Sequence, residues 1–190
     1  MKKSTKLLVA VSIISGVAGC GGGGGGGATD GVNKWASNAG TYYSCDSHTK
    51  QTATLTPVGS NQLTISLKQE VFSLDACTGT LIGAVSPATL TMTFVEAIVA
   101  SVTGVGTRTS VQNLSIDKVT VTAAAQNLIL TGSGVVGNCV NYLNGNICFN
   151  SLNFPSVSMS AAIYLSPTTF ATLVQSGSAW IADQPNLTKQ

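Results

Sequence analysis

The stretch Val157-Ser158-Met159-Ser160-Ala161-Ala162-Ile163-Tyr164-Leu165 decides the fold class. Val157, Met159, Ala161, Ile163 and Leu165 fall on alternate positions, the longest strict alternation in the chain. A period of two places one apolar face against a core and is the signature of a half-buried strand. Gln62 to Lys68 repeats the pattern, with Leu63, Ile65 and Leu67 on one face and Thr64, Ser66 and Lys68 on the other. It pairs with Gln51 to Thr56 through Pro57-Val58-Gly59-Ser60-Asn61, whose proline and glycine favour a turn. Ala88 to Val95 directs Leu90, Met92 and Phe94 inward, and Ala97 to Val102 follows it.

Shorter strands fill the intervals. Glu70 to Leu74 and Thr80 to Val85 flank a turn at Asp75 to Gly79. Val111 to Thr122 is β-rich, and its apolar parity shifts between Ile116 and Val119, which predicts a bulge near Asp117-Lys118. Leu128 to Thr131, Val135 to Tyr142 and Ile147 to Leu152 complete this part. One segment departs from the β pattern. Ser166-Pro167 offers an N-cap followed by proline at the first helical position. Phe170, Leu173 and Val174 then lie at i, i+3 and i+4, and Gly177 supplies a stop. A short helix is expected there, followed by a strand at Ala179 to Ile181. Antiparallel strands with one-sided alternation and short turns imply a mainly β meander, closed as a barrel or folded as a two-sheet sandwich.

The chain has 190 residues, one domain's worth. Three of its nine basic residues, Lys2, Lys3 and Lys6, sit at the extreme N-terminus; the remainder holds six basic against seven acidic side chains, a net charge of −1. These charges are scattered, with no basic stripe of the kind that binds nucleic acid.

Leu7 to Ala18 is an apolar run too short to span a bilayer, which needs roughly 20 residues. Basic flank, short apolar run and small-residue exit describe a secretory signal peptide. The exit, Val17-Ala18-Gly19-Cys20, resembles the lipobox of bacterial lipoproteins. The resemblance implies acylation of the Cys20 thiol, cleavage before it and anchoring in the cell envelope. The aspartate that retains such proteins at the inner membrane is missing, since Gly21 follows the cysteine; the outer membrane is therefore expected. The glycines Gly21 to Gly27 lack side chains to pack and make a flexible tether. The expected organisation is signal peptide over 1–19, lipidated cysteine and tether over 20–38 with Trp35 as its one anchor, a single β domain over 39–184 and a polar tail over 185–190. Gly40-Thr41-Tyr42-Tyr43 is similar to the Gly-x-Trp entry motif of lipocalins, with tyrosine where that family has tryptophan. A lipocalin-like barrel is what that similarity implies.

With Cys20 assigned to the lipid, four cysteines remain in an exported chain, which suggests two disulfides with three pairings open. Order and spacing favour Cys45–Cys77 and Cys139–Cys148. Two registers compete for the second. A two-residue turn at Asn144-Gly145 would set Cys148 opposite Asn141. A four-residue loop over Tyr142 to Gly145 instead sets Cys139 opposite Cys148, with Gly145 left-handed at its end. Disulfide reach selects the second register.

No motif for catalysis stands out. A serine–histidine–aspartate arrangement must use His48, the sole histidine, which is expected in an exposed loop. A metal site built on Cys45 and His48 lacks further ligands. Paired carboxylates are spread along the chain, and Asp75 and Asp117 already have turn and bulge roles. Phe94, Phe154, Tyr142, Tyr164 and Trp180 are the candidates for lining a ligand site. The expectation is a non-enzymatic envelope lipoprotein with no cofactor, held to the membrane by its lipid. Its β domain binds a protein partner or a small apolar ligand. The alternative is a structural or surface-adhesion lipoprotein without a pocket, and a hydrolase ranks below both.

Overall fold

The computed structural model describes residues 33–106 and 112–190. The expected signal peptide, Cys20 and the expected glycine tether over Gly21 to Gly27 lie outside the described residues. A single turn of 3-10 helix, Ala36–Asn38, leads into β1 (Gly40–Asp46), β2 (Thr49–Val58), β3 (Gln62–Leu74), the long β4 (Thr78–Thr103) and β5 (Gln112–Ala123). Six short strands follow: β6 (Gln126–Asn127), β7 (Leu130–Thr131), β8 (Val135–Val136), β9 (Cys139–Tyr142), β10 (Gly145–Cys148) and β11 (Asn153–Phe154). β12 (Val157–Leu165), β13 (Thr169–Ser176) and β14 (Ala179–Lys189) complete the chain.

The fold is mainly β and mostly antiparallel, as the alternation requires. Eight strands pair in a ring in the order β3-β2-β1-β14-β13-β12-β5-β4, and β4 returns to β3. A sheet joined this way leaves few free edges. The expected hairpin of 51–56 with 62–68 is present as β2–β3, with Leu55 opposite Ile65 and Val58 opposite Gln62. Inside the ring, Tyr42, Leu55, Leu63, Ile65, Val119 and Ile163 belong to a first core and are at most 2% exposed.

A second core lies beside it at the other end of β3 and β4. Val71 and Val85 pack there against Val140, Ile147, Phe149 and Phe154 of the 126–154 excursion. Gly83 admits this contact, because a Cβ at that position would collide with the Val140 side chain.

A third core forms on the outer face of the ring wall. Ile116, Ala162, Ala171, Leu173 and Ala182 meet Val102 there. The end of β4 encloses it by pairing in parallel with β14, Trp180 opposite Val102 and Ile181 opposite Thr103. This explains the parity shift in β5. Ile116 faces the third core and Val119 the first, so β5 stays regular while being buried on opposite sides in its two halves. The bulge expected at Asp117-Lys118 lies across the ladder, where Val95 of β4 is the extra residue between the Phe94–Val119 and Glu96–Lys118 pairs.

The same double burial overturns the expected helix over 166–177, which is a turn and strand β13. Phe170 enters the first core, while Ala171 and Leu173 enter the third. Apolar residues on both faces of a strand imitate helical spacing. The capping signal belongs to the β12–β13 turn: the Ser166 hydroxyl accepts the Thr169 N–H at 3.0 Å, and the Ser166 N–H donates to the Thr169 carbonyl at 2.9 Å. Gly177, at φ 61°, turns β13 into β14. β14 runs on to Lys189, so most of the stretch read as a polar tail is strand; Leu187 is buried, and Thr188 and Lys189 pair with Tyr43 and Tyr42 to close the ring.

The end of the expected tether is likewise folded. Asn33, Trp35 and Asn38 are all buried. The Asn33 amide donates to the carbonyls of Gly59 (2.9 Å) and Gln62 (2.7 Å), tying the chain to the β2–β3 turn. Trp35 seals the first core: its indole N–H donates to Asp117 at 2.7 Å and its ring meets Phe94 edge-on at 6.0 Å. Lys34 completes the cap, 2.6 Å from the other Asp117 oxygen and 3.6 Å above the Phe94 ring. Behind it the Tyr42 hydroxyl reaches the carbonyls of Asn38 (2.9 Å) and Ser166 (3.2 Å); burial pushes its pKa up, and the bond to Asn38 offsets part of that. Replacing Trp35 by alanine is expected to cost about 3–5 kcal/mol, because it opens a cavity and strips Asp117 of a donor. Urea denaturation measures it; a loss under about 1 kcal/mol would mean that the cap is not part of the cooperative fold.

Candidate functional site

Strand β2 fixes the two ends of the molecule. Its Val58 end touches Asn33, the first of the described residues; its Thr49 end carries the β1–β2 turn. Ten residues at about 3.3 Å each separate these ends by roughly 30 Å. The end far from Asn33 holds both disulfides, the histidine and the second core.

Cys45 and Cys77 are bonded, with Cα atoms 6.0 Å apart, and tie the β1–β2 turn to the β3–β4 turn. Cys139 and Cys148 are bonded across β9 and β10, with Cα atoms 4.0 Å apart. The register is the one that disulfide reach selects, Cys139 opposite Cys148 and Asn141 opposite Asn146. The ladder continues one pair further, to Tyr142 opposite Gly145, so the loop is the two residues Leu143-Asn144 rather than four. Gly145 is correspondingly a strand residue without positive φ. A Cβ there would lie 2.9 Å from the Tyr142 hydroxyl, so a side chain at this position would have to displace the end of the Tyr142 ring.

His48 is not an exposed loop residue. Its side chain is 14% exposed and stacks on Tyr142, ring centroids 4.1 Å apart. Nδ1 lies 3.0 Å from the Phe72 carbonyl and Nε2 3.3 Å from Asp75. Ser47 donates to the same Asp75 carboxylate at 2.7 Å. Serine, aspartate and histidine are thus assembled, but the carboxylate stands between the other two. A nucleophilic triad needs the imidazole in the middle, taking the hydroxyl proton. Here Asp75 gathers both neighbours, and the cluster joins three elements: the β1–β2 turn, the β3–β4 turn and the β9–β10 hairpin.

The other candidate residues are dispersed. Phe94 packs on the first core, Phe154 and Tyr142 in the second, Tyr164 and Trp180 on the third. Asp117 is engaged by Lys34 and Trp35. Among the described residues no group of three or more His, Cys, Asp or Glu is placed to hold a metal. The best-formed recess among them is a cavity of about 40 Å³ between the first two cores, beside Gln51, Leu67, Gln69 and Val85. That admits a few water molecules, whereas drug-sized ligands occupy roughly 300–1,000 Å³.

The surface at the far end is the more informative feature. Of the ten large apolar side chains left exposed among the described residues, five belong to the β3–β4 turn region and the excursion: Leu74, Leu81, Ile129, Val136 and Leu143. Leu143, at the hairpin tip, is 92% exposed. Sequence reading placed the hairpin and its disulfide but missed the cluster beneath. His48 and Tyr142 are 94 residues apart, and nothing local in the sequence announces their stacking.

Replacing Cys139 and Cys148 together by alanine is expected to lower stability by about 2.5–3 kcal/mol, the chain-entropy value for so short a loop. Chemical denaturation of oxidised wild type and variant reads this directly. An unchanged midpoint would show that the hairpin is not coupled to the rest of the fold.

No family model, curated protein or solved structure matches this chain.

Proposed function

We propose that the chain is an exported lipoprotein, acylated on Cys20 and held at the outer membrane, whose β domain is a non-enzymatic contact module for a protein partner. The lipobox-like exit and the glycine run support the anchor. The observation that carries the contact role is the exposed Leu143 on a disulfide-clamped hairpin, at the end of the domain remote from the tether. A rigid apolar tip loses little conformational freedom on docking and suits insertion into a partner's pocket. The small recess inside the ring gives the alternative, a small apolar ligand, no comparable support. Anchoring one end and presenting the other also has a geometric logic. A tether of the twelve residues 21–32 has a reach of roughly 20 Å, which leaves the domain free to turn its far end outward.

Two experiments test the two halves. Replacing Cys20 by serine is expected to move the protein from the membrane to the soluble fraction; a variant that stays wholly membrane-bound would sink the anchor. Replacing Leu143 by aspartate is expected to leave stability within about 0.5 kcal/mol, as for an exposed site. Crosslinking of the anchored protein in its host should then lose an adduct that wild type forms through the tip. An unchanged adduct pattern favours the structural lipoprotein instead.

A further inference from the structure

Three residues other than glycine have a left-handed backbone among the described residues: Ser47 (φ 54°), Ala76 (φ 55°) and Cys77 (φ 53°). All three lie in the two turns that Cys45–Cys77 joins. This conformation is unfavourable for L-residues and persists only where the surroundings impose it. The disulfide is one such constraint. The others are the Cys77 N–H on the Ser47 carbonyl at 3.1 Å, the Ser47 hydroxyl on Asp75, and the Thr78 hydroxyl on the Asp75 carbonyl at 2.8 Å. These turns are also the seat of His48, and His48 is the surface on which Tyr142, the residue before Leu143, rests.

We propose that Cys45–Cys77 is a redox latch on the hairpin tip, an inference that rests on reading the tip as the contact surface. Oxidised, the bond holds both turns in their left-handed form and keeps His48 under Tyr142. Reduced, it lets the turns relax, and the Tyr142–Leu143 tip loses its support while Cys139–Cys148 stays closed. The reductant is a dithiol, of the kind a disulfide oxidoreductase carries. One of its thiolates attacks the Cys45 sulfur, forming a mixed disulfide and expelling Cys77 as a thiolate that takes up a proton. The second dithiol sulfur then resolves the mixed disulfide and releases Cys45. Two electrons and two protons pass to the protein, and the dithiol ends as a disulfide. Access favours this bond, since Cys45 is exposed while Cys77, Cys139 and Cys148 are half-buried. Release of three left-handed residues favours it further.

The test uses oxidised protein titrated with dithiothreitol, with thiols trapped by alkylation and located by mass spectrometry, and with amide hydrogen exchange followed in parallel. Cys45–Cys77 is expected to open at a dithiothreitol concentration about tenfold below that for Cys139–Cys148. Exchange across 140–147 should then rise about tenfold while β2 and β3 keep their protection. Replacing Cys45 and Cys77 by alanine should give the same faster exchange without reductant. His48→Ala should give it with both disulfides intact, which keeps the test decisive if the cysteine variant does not fold. Opening of Cys139–Cys148 first or at the same concentration overturns the latch. So does an unmoved hairpin after Cys45–Cys77 is reduced, and so does loss of protection throughout the ring, which would make the bond a staple of the whole fold. Hairpin exchange is read without any partner, so its failure is separate from failure of the contact role, which the Leu143→Asp crosslinking decides.

Discussion

Burial of the wall β5–β12–β13–β14 on both faces is the constraint on which the molecule depends. Ile163 of β12 enters the first core and its neighbour Ala162 the third; Phe170 and Ala171 of β13 divide in the same way. A wall with no solvent face at these positions has to be covered twice. The ring covers one side. The end of β4 covers the other, which is why that strand is 26 residues long and finishes against Trp180. Bulges let one strand serve so many partners. Val95 re-aims β4 from the first core to the third, and Pro87 sits at another register shift, where proline's missing N–H leaves no ladder bond unmade.

This constraint also marks how far the sequence was legible. Where one face meets water, as in β2 and β3, alternation alone located the strands, the turn and the partner. Where both faces are buried, as in β13 and along β5, the alternation is lost; β12 keeps it because Ser158 and Ser160 on its outer face are exposed and only Ala162 is buried in the third core. Phe170, Leu173 and Val174 then mimic a helix, and the Ile116–Val119 interval mimics a bulge. Solvent is what writes the period of two into a sequence, and its absence removes the signal. Long-range polar contacts leave no local trace either. Lys34 and Trp35 find Asp117 more than 80 residues away, so a segment that reads as tether proves to be the cap of a core. The disulfide register was legible for the opposite reason: nine residues of separation and fixed sulfur geometry leave only one workable hairpin.

The two ends of the ring are stabilised by different means. At the Asn33 end the first core is deep, and one tryptophan with a hydrogen-bonded carboxylate closes it. At the far end the covering strands β6, β7, β8 and β11 have two residues each, too few to hold themselves by ladder bonds. Their core is apolar but thin, and Gly83 has to give up its side chain for Val140 to reach it.

Small, loop-rich cores of this kind gain most from covalent links. Both disulfides are found there, one within the excursion and one across the turns beneath it, and neither crosses the first core. The division follows from chain entropy. The strands around the first core are held by long ladders, ten uninterrupted pairs between β2 and β3 alone, so a crosslink there would constrain what hydrogen bonds already fix. Linking Cys45 to Cys77 closes a loop of 32 residues' separation, and linking Cys139 to Cys148 fixes a hairpin whose ladder has four pairs. Each bond therefore removes disorder that the local hydrogen bonding does not. The far end is thus the part of the molecule held by covalent links, and the apolar tip is carried on it.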